Sequence, residues 1–239
     1  MTMVDKKLHT LIAAYNKLMK GIDDAAIASS DRAYGGIIRA GKGALVESIA
    51  TQLAMIAWCD VLNQEPARIE IHRKKMPIGI NDKYIDRIAD PVVQDYVRNN
   101  REKMIYKFST DVQVFIDGKL VLPIECKSFT ENCMLKRILF DAELMKEAVG
   151  LDTYYLVQLE SQLGGDYSEL NDVTYGSPAT HALLAHTDIE LVIITLLKGE
   201  RKVNKPIHKP EFFKELRLCE LQKAVQIFAD ALRKYCTKT

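Results

Sequence analysis

The chain has 239 residues, 48% of them hydrophobic and 27% charged, and its 33 Lys and Arg nearly cancel its 32 Asp and Glu to leave a net charge of +1. That composition is ordinary for a globular protein with a full core. No apolar run reaches the roughly 18 to 20 residues that span a bilayer, and the N-terminus lacks the small-residue cleavage site of a secretory signal, so the cytoplasm is the expected compartment. The five cysteines (Cys59, Cys126, Cys133, Cys219, Cys236) are odd in number and include no C-x-x-C pair. Neither a disulfide framework nor a structural zinc site is therefore expected.

In chain order, residues 1–20 read as an amphipathic helix with Leu8, Leu11, Ile12, Tyr15, Leu18 and Met19 on one side. Residues 35–43 (GGIIRAGKG) read as a glycine-rich basic loop. Gly36 to Lys42 matches part of a phosphate-binding P-loop, but Gly43 stands where Ser or Thr should bind magnesium, and no convincing strand precedes it. Residues 43–62 form a helix that is apolar nearly all round and hence buried, with Glu47 as the only charge between Gly43 and Cys59. A short strand over 67–72 and a helix over 90–107 follow, the helix with Pro91 in its first turn.

The hydrophobic period then switches from helical to alternating. Residues 111–116 and 119–127 are strands joined at Asp117-Gly118, a hairpin signal. A helix over 131–149 precedes a strand over 152–159. Beyond a polar, glycine-containing stretch from Ser161 to Ser177, residues 188–197 form a strand apolar enough to be buried on both faces, and a helix over 219–235 ends the chain. This order predicts an α/β fold, a central mixed sheet flanked by helices.

Four acid-x-Lys triplets occur, but only Glu125-Cys126-Lys127 ends an apolar strand, with both charges on the same side of it. A carboxylate and an ammonium there are costly unless paired or bound to a metal. Asp111 stands at the far end of the preceding strand. With a strict two-residue turn Asp111 faces away from Glu125. A three-residue loop with Gly118 left-handed, or an equivalent bulge, brings them to one face. Asp111, Gln113 and Phe115 then lie with Val121, Pro123, Glu125 and Lys127, while Val112, Val114, Leu120, Leu122, Ile124 and Cys126 pack behind.

Asp111, thirteen intervening residues, and then Glu125-Cys126-Lys127 across a hairpin resemble the PD-(D/E)xK nuclease superfamily, and most of all its type II restriction endonucleases. The motif covers residues 110–127, and the strand order extends the similarity to about residue 159. Thr110 stands where the name-giving proline would be. No repeat, low-complexity segment or linker divides the chain, so one domain over 1–239 is expected, and the resemblance implies a restriction-endonuclease-like core at about 43–200 within it. It implies Mg²⁺ held by Asp111 and Glu125, Lys127 acting on the attacking water, 5′-phosphate products, and a homodimer on double-stranded DNA. Glu47 is a further candidate acid, because members often add one from an N-terminal helix; otherwise it is a first-turn glutamate favoured by the helix dipole.

Arg39, Lys42, Lys136 and Arg137 are candidate DNA contacts, each weighed against a plain solvated surface. The stretch Ser161 to Ser177 could read base edges. Three other functions stay open on the sequence: a structure-specific repair or junction-resolving nuclease, a DNA-binding module without catalysis and, last, a P-loop nucleotide hydrolase.

Overall fold

The computed structural model describes residues 1–29, 33–165 and 176–236. Helix α1 (Met3–Ala28) opens on a capping box: the Thr2 hydroxyl accepts from the Asp5 amide at 3.0 Å, and the Asp5 carboxylate accepts from the Thr2 amide at 3.0 Å. Its apolar stripe continues past the expected boundary at residue 20, through Ile22 to Ala26. Helix α2 (Tyr34–Ile56) runs on into a π turn, Ala57–Val61.

The segment 35–43 is thus the first turns of α2, correcting the loop reading. Of the glycines that suggested a loop, Gly41 serves close helix packing, while Gly35, Gly36 and Gly43 have open space beside them. A Cβ on Gly41 would lie 2.6 Å from Ile22 Cδ1, and Ile22, Ala26 and Ile38 form a small core between α1 and α2. Among the described residues one helical stretch, Tyr34–Val61, is long and apolar enough by composition to cross a membrane, contrary to the sequence reading, and half of its apolar window is buried inside the protein. Leu45, Val46, Ile49, Leu53 and Trp58 pack it onto the sheet.

Strand β1 (Ile69–His72) leads to a two-stranded antiparallel sheet, β2 (Met76–Gly79) with β3 (Ile105–Phe108). Between them lie α3 (Asp82–Asp86) and α4 (Pro91–Asn99). The helix expected over 90–107 therefore stops at Asn99, and the aromatic, β-branched run Ile105-Tyr106-Lys107-Phe108 pairs as a strand.

The central sheet has the order β1, β4 (Val112–Ile116), β5 (Lys119–Glu131), β6 (Thr153–Gln162), β7 (Glu190–Thr195). The β1–β4 and β4–β5 pairs are antiparallel; β5–β6 and β6–β7 are parallel, with α5 (Asn132–Val149) and α6 (Pro178–Leu184) in the two crossovers. This is the mixed sheet between helices that the element order predicts.

One face of the sheet carries Val112, Val114, Ile116, Leu122, Ile124, Cys126 and Val157 against α1, α2 and α7 (Leu218–Leu232). Leu221, Val225, Phe228 and Leu232 of α7 are all buried there. The other face, with Phe115, Leu120, Tyr154 and Leu156, is covered by Ile138, Ala142 and Met145 of α5.

Candidate active site

The β4–β5 hairpin sets the site. Ile116 pairs with Lys119 across a two-residue turn whose residues both have positive φ, Asp117 at 49° and Gly118 at 74°. Arg68 clamps that turn, its guanidinium 2.6 Å from the Asp117 carboxylate. The parity correction comes one step later. Phe115 pairs with Leu120 but Val114 pairs with Leu122, leaving Val121 as a bulge. The bulge, and not the three-residue loop, puts Asp111 beside Glu125. It also exchanges two expected positions: Val121 joins the α2 face, and Leu120 lies with Phe115 on the α5 face.

Around Lys127 three oxygens converge. Its ammonium donates to the Glu125 carboxylate, to Asp111 Oδ2 at 3.3 Å and to the Cys126 carbonyl at 3.2 Å. Asp111 Oδ2 also accepts from the Cys126 amide at 2.9 Å, which ties the start of β4 to β5. The structure thus gathers Asp111, Glu125 and Lys127 as the sequence predicts.

Two partners were missed. Arg73 lies 3.4 Å from Asp111 Oδ1 and donates to the Ser109 hydroxyl at 3.3 Å. It sits in a basic run that looks like solvated surface, so no sequence signal separates it from its neighbours. Asp141 of α5 is 7% exposed, facing the same cluster. Its signal was available: Asp141 sits on the buried stripe of α5, three residues after Ile138 and four before Met145.

Electrostatically the cluster is short of positive charge. Burial, ahead of every other cause, pushes the Glu125 carboxyl up; Asp111 and Asp141 add to this and Lys127 opposes it. For Lys127, burial works against the charge, but Glu125 and Asp111 outweigh it and hold the ammonium above the ordinary lysine value. Glu47, half-buried on α2, is raised by burial and then by Asp111, with Arg73 and Lys127 pulling the other way. It therefore stands within the field of the cluster, though among the described residues no hydrogen bond joins it. Asp141 is likewise raised, first by burial. The Tyr154 hydroxyl is buried on the same side with no hydrogen-bond partner among the described residues.

Among the described residues no three His, Cys, Asp or Glu side chains stand close enough to share a metal ion. The oxygen donors at hand are two carboxylates, Asp111 and Glu125, and one backbone carbonyl, Cys126. Carboxylate and carbonyl oxygens beside excess negative charge are the donor chemistry a small hard cation takes, with water filling its remaining positions. The residues therefore fit Mg²⁺.

The expected DNA contacts are dispersed. Arg39 is exposed on α2, whereas Lys42 is buried, 9% exposed. On α5, Lys136 is exposed, and Arg137 lies 3.7 Å from Asp141 and so flanks the acidic cluster. Residues 166–175 of the expected base-reading stretch lie outside the described residues. Within it, Gln162 accepts a hydrogen bond from Arg201.

In class, the chain is an α/β protein with an acidic, lysine-centred cluster set on the hairpin of a central mixed sheet. It is 44% identical over 232 residues to the type II restriction enzyme DdeI of Desulfomicrobium norvegicum, which covers 95% of this chain and 97% of that one. The chain belongs to the family of that type II restriction enzyme. A solved structure of the native BbvCI A2B2 tetramer matches 97% of this chain and 89% of that chain at 12% identity with a TM-score of 0.41. No family model matches the chain.

Proposed function

We propose that the protein is a Mg²⁺-dependent type II restriction endonuclease of the PD-(D/E)xK kind, acting as a cytoplasmic homodimer. Each subunit hydrolyses one strand of double-stranded DNA at a short specific sequence and leaves a 5′-phosphate. The observation that carries this reading is the convergence of Asp111, Glu125 and the Cys126 carbonyl on Lys127, in a chain that is 44% identical to a restriction enzyme along nearly its whole length.

Asp111 and Glu125, with the Cys126 carbonyl, would hold the magnesium ion. The ion supplies charge neutralisation at the phosphate and a more acidic bound water. Lys127 is held in its charged form, so its part is to donate hydrogen bonds that orient the attacking water and offset the charge building on the phosphate oxygens. Arg73 keeps Asp111 from turning away, and Glu47 and Asp141 deepen the negative field that draws in a cation. Lys136 and Arg137, on the exposed side of α5, are placed to meet the DNA backbone.

Incubation of the wild type and Lys127→Ala with plasmid and phage DNA, in Mg²⁺ or in EDTA, tests this. Discrete fragments from the wild type in Mg²⁺ alone are the expected result. Cutting only of branched DNA would overturn the restriction reading, and cutting in EDTA would overturn the metal.

A further inference from the structure

A second cationic site adjoins the first. A cavity of about 200 Å³ opens between α2, the end of β5 and the segment 201–208. Its lining includes Arg39, Lys42, Ser128, Phe129, Arg201 and His208. Ser128 and Phe129 are the two residues after Lys127, so the cavity begins about 3 to 7 Å further along the same strand.

Lys42 is the anomaly in this cavity. It is 9% exposed, and among the described residues no carboxylate forms an ion pair with it. Its one hydrogen-bond partner is a neutral ring. The Tyr34 hydroxyl donates to Asp23 and lies 3.0 Å from His208 Nε2, so Nε2 carries the proton and Nδ1 is left to accept from the Lys42 ammonium at 3.3 Å. Two of the three ammonium hydrogens remain for a ligand. The nearest carboxylate, Glu160, also lines the cavity, but it is engaged by Lys214 at 2.8 Å. Burial works against the Lys42 charge and, with Glu160 opposing and Arg201 adding to it, brings the group down to about 8. The attraction of Glu160, which is shared with Lys214, does not offset burial and the nearby Arg201 charge, so an added anion would complete a site that holds two cations.

Arg201 gives the cavity a second donor. Its guanidinium lies 3.8 Å over the Phe129 ring, which turns its N–H groups sideways, and one of them meets Gln162. A guanidinium stacked on an aromatic ring presents the remaining in-plane hydrogens to an anion. The volume falls below the roughly 300 to 1,000 Å³ of pockets that hold whole drug-sized ligands, so a nucleotide is too large and a tetrahedral oxyanion is of suitable size.

We propose that this cavity is a phosphate site, in which Lys42 and Arg201 hold one backbone phosphate of the DNA strand running past Lys127. The proposal rests on the nuclease reading above. It makes Lys42 a positioning residue that fixes the strand's register, not a group that touches the reacting atoms.

The test uses the full chain, a duplex carrying a cleavage site mapped on plasmid DNA, and Ca²⁺ in place of Mg²⁺. Lys42→Met and Arg201→Gln should each weaken binding about ten-fold and lower the slope of log Kd against log salt by about 1. Lys42→Met should at the same time raise Tm, because a stranded buried charge is removed; a purely structural lysine would lower it. Duplexes made neutral at one phosphate at a time by methylphosphonate should show one position where the wild type loses affinity and Lys42→Met loses none. Equal losses for both proteins at every position, or wild-type affinity and salt slope in both variants, would overturn the site. If the wild type cuts no DNA in Mg²⁺, the nuclease reading itself has failed, and the two failures are thereby distinguished.

Discussion

Lys127 is the residue on which two carboxylates and a carbonyl agree, and removing it should separate chemistry from folding. In Lys127→Ala, cleavage is expected to fall by about 10²- to 10⁴-fold. In EDTA the variant should also melt earlier than the wild type, because Asp111 and Glu125 then face each other without a cation, and Mg²⁺ should restore much of the difference.

Glu47 offers a pH-dependent case at the same scale. Its folded carboxyl is raised above its ordinary value of 4.5, so the folded protein favours the protonated form. The stability this group contributes is fully present below 4.5 and is lost as pH rises through the raised folded value. Glu47→Gln avoids that loss. In EDTA the variant should therefore match the wild type near pH 4 and melt higher at pH 8, by no more than about 2 °C. A variant that melts lower at pH 8 would show that Glu47 is held by a partner instead of being crowded by one.

At the scale of elements, the backbone of the segment after β1 is held by the Gln113 side chain. Gln113 is fully buried on β4, its carbonyl accepting from the Lys74 amide at 2.7 Å and its amide donating to the Lys74 carbonyl at 3.1 Å. This two-point bond holds Arg73, one residue earlier, against Asp111. Gln113→Leu should cost about 1–3 kcal/mol in urea unfolding, towards the lower end because Lys74 is open to water. It should also reduce cleavage by about as much as Arg73→Gln. A double variant no worse than either single one would confirm that the two act through one contact. The bulge at Val121 belongs to the same scale. Period-two alternation shows that some irregularity has to reconcile Asp111 with Glu125, but not where it falls. Only the pairing of β5 against β4 selects Val121 over the turn.

For the whole molecule, the sheet and its helices close on apolar side chains, and no metal is needed for that packing. EDTA should accordingly abolish cleavage and leave the fold intact. At a hundredfold excess over Kd, Mg²⁺ adds about 2.7 kcal/mol of stability. For a chain of this size that raises Tm by about 5–11 °C. Asp111→Asn, lacking one ligand charge, should lose most of that rise, which differential scanning calorimetry would read directly. The proposed homodimer predicts a sedimenting mass of twice 27.1 kDa.

Local order along the chain was enough to specify the elements around the site. Strand alternation, the Asp117-Gly118 turn and the lone acid-x-Lys triplet ending an apolar strand identified β4, β5 and the trio Asp111, Glu125 and Lys127, because covalent neighbours on a strand have a fixed two-residue parity. Glycines misled at 35–43, since a Gly placed for close helix packing is spelled like a Gly placed for a turn, and only the presence of Ile22 against Gly41 tells them apart. Asp141 was marked by its place on the buried stripe of α5, whereas Arg73 and the cavity around Lys42 depended on the tertiary structure for the same reason. Their partners lie tens to more than a hundred residues away in the chain, and no periodicity records which distant side chain a folded sheet will bring within reach.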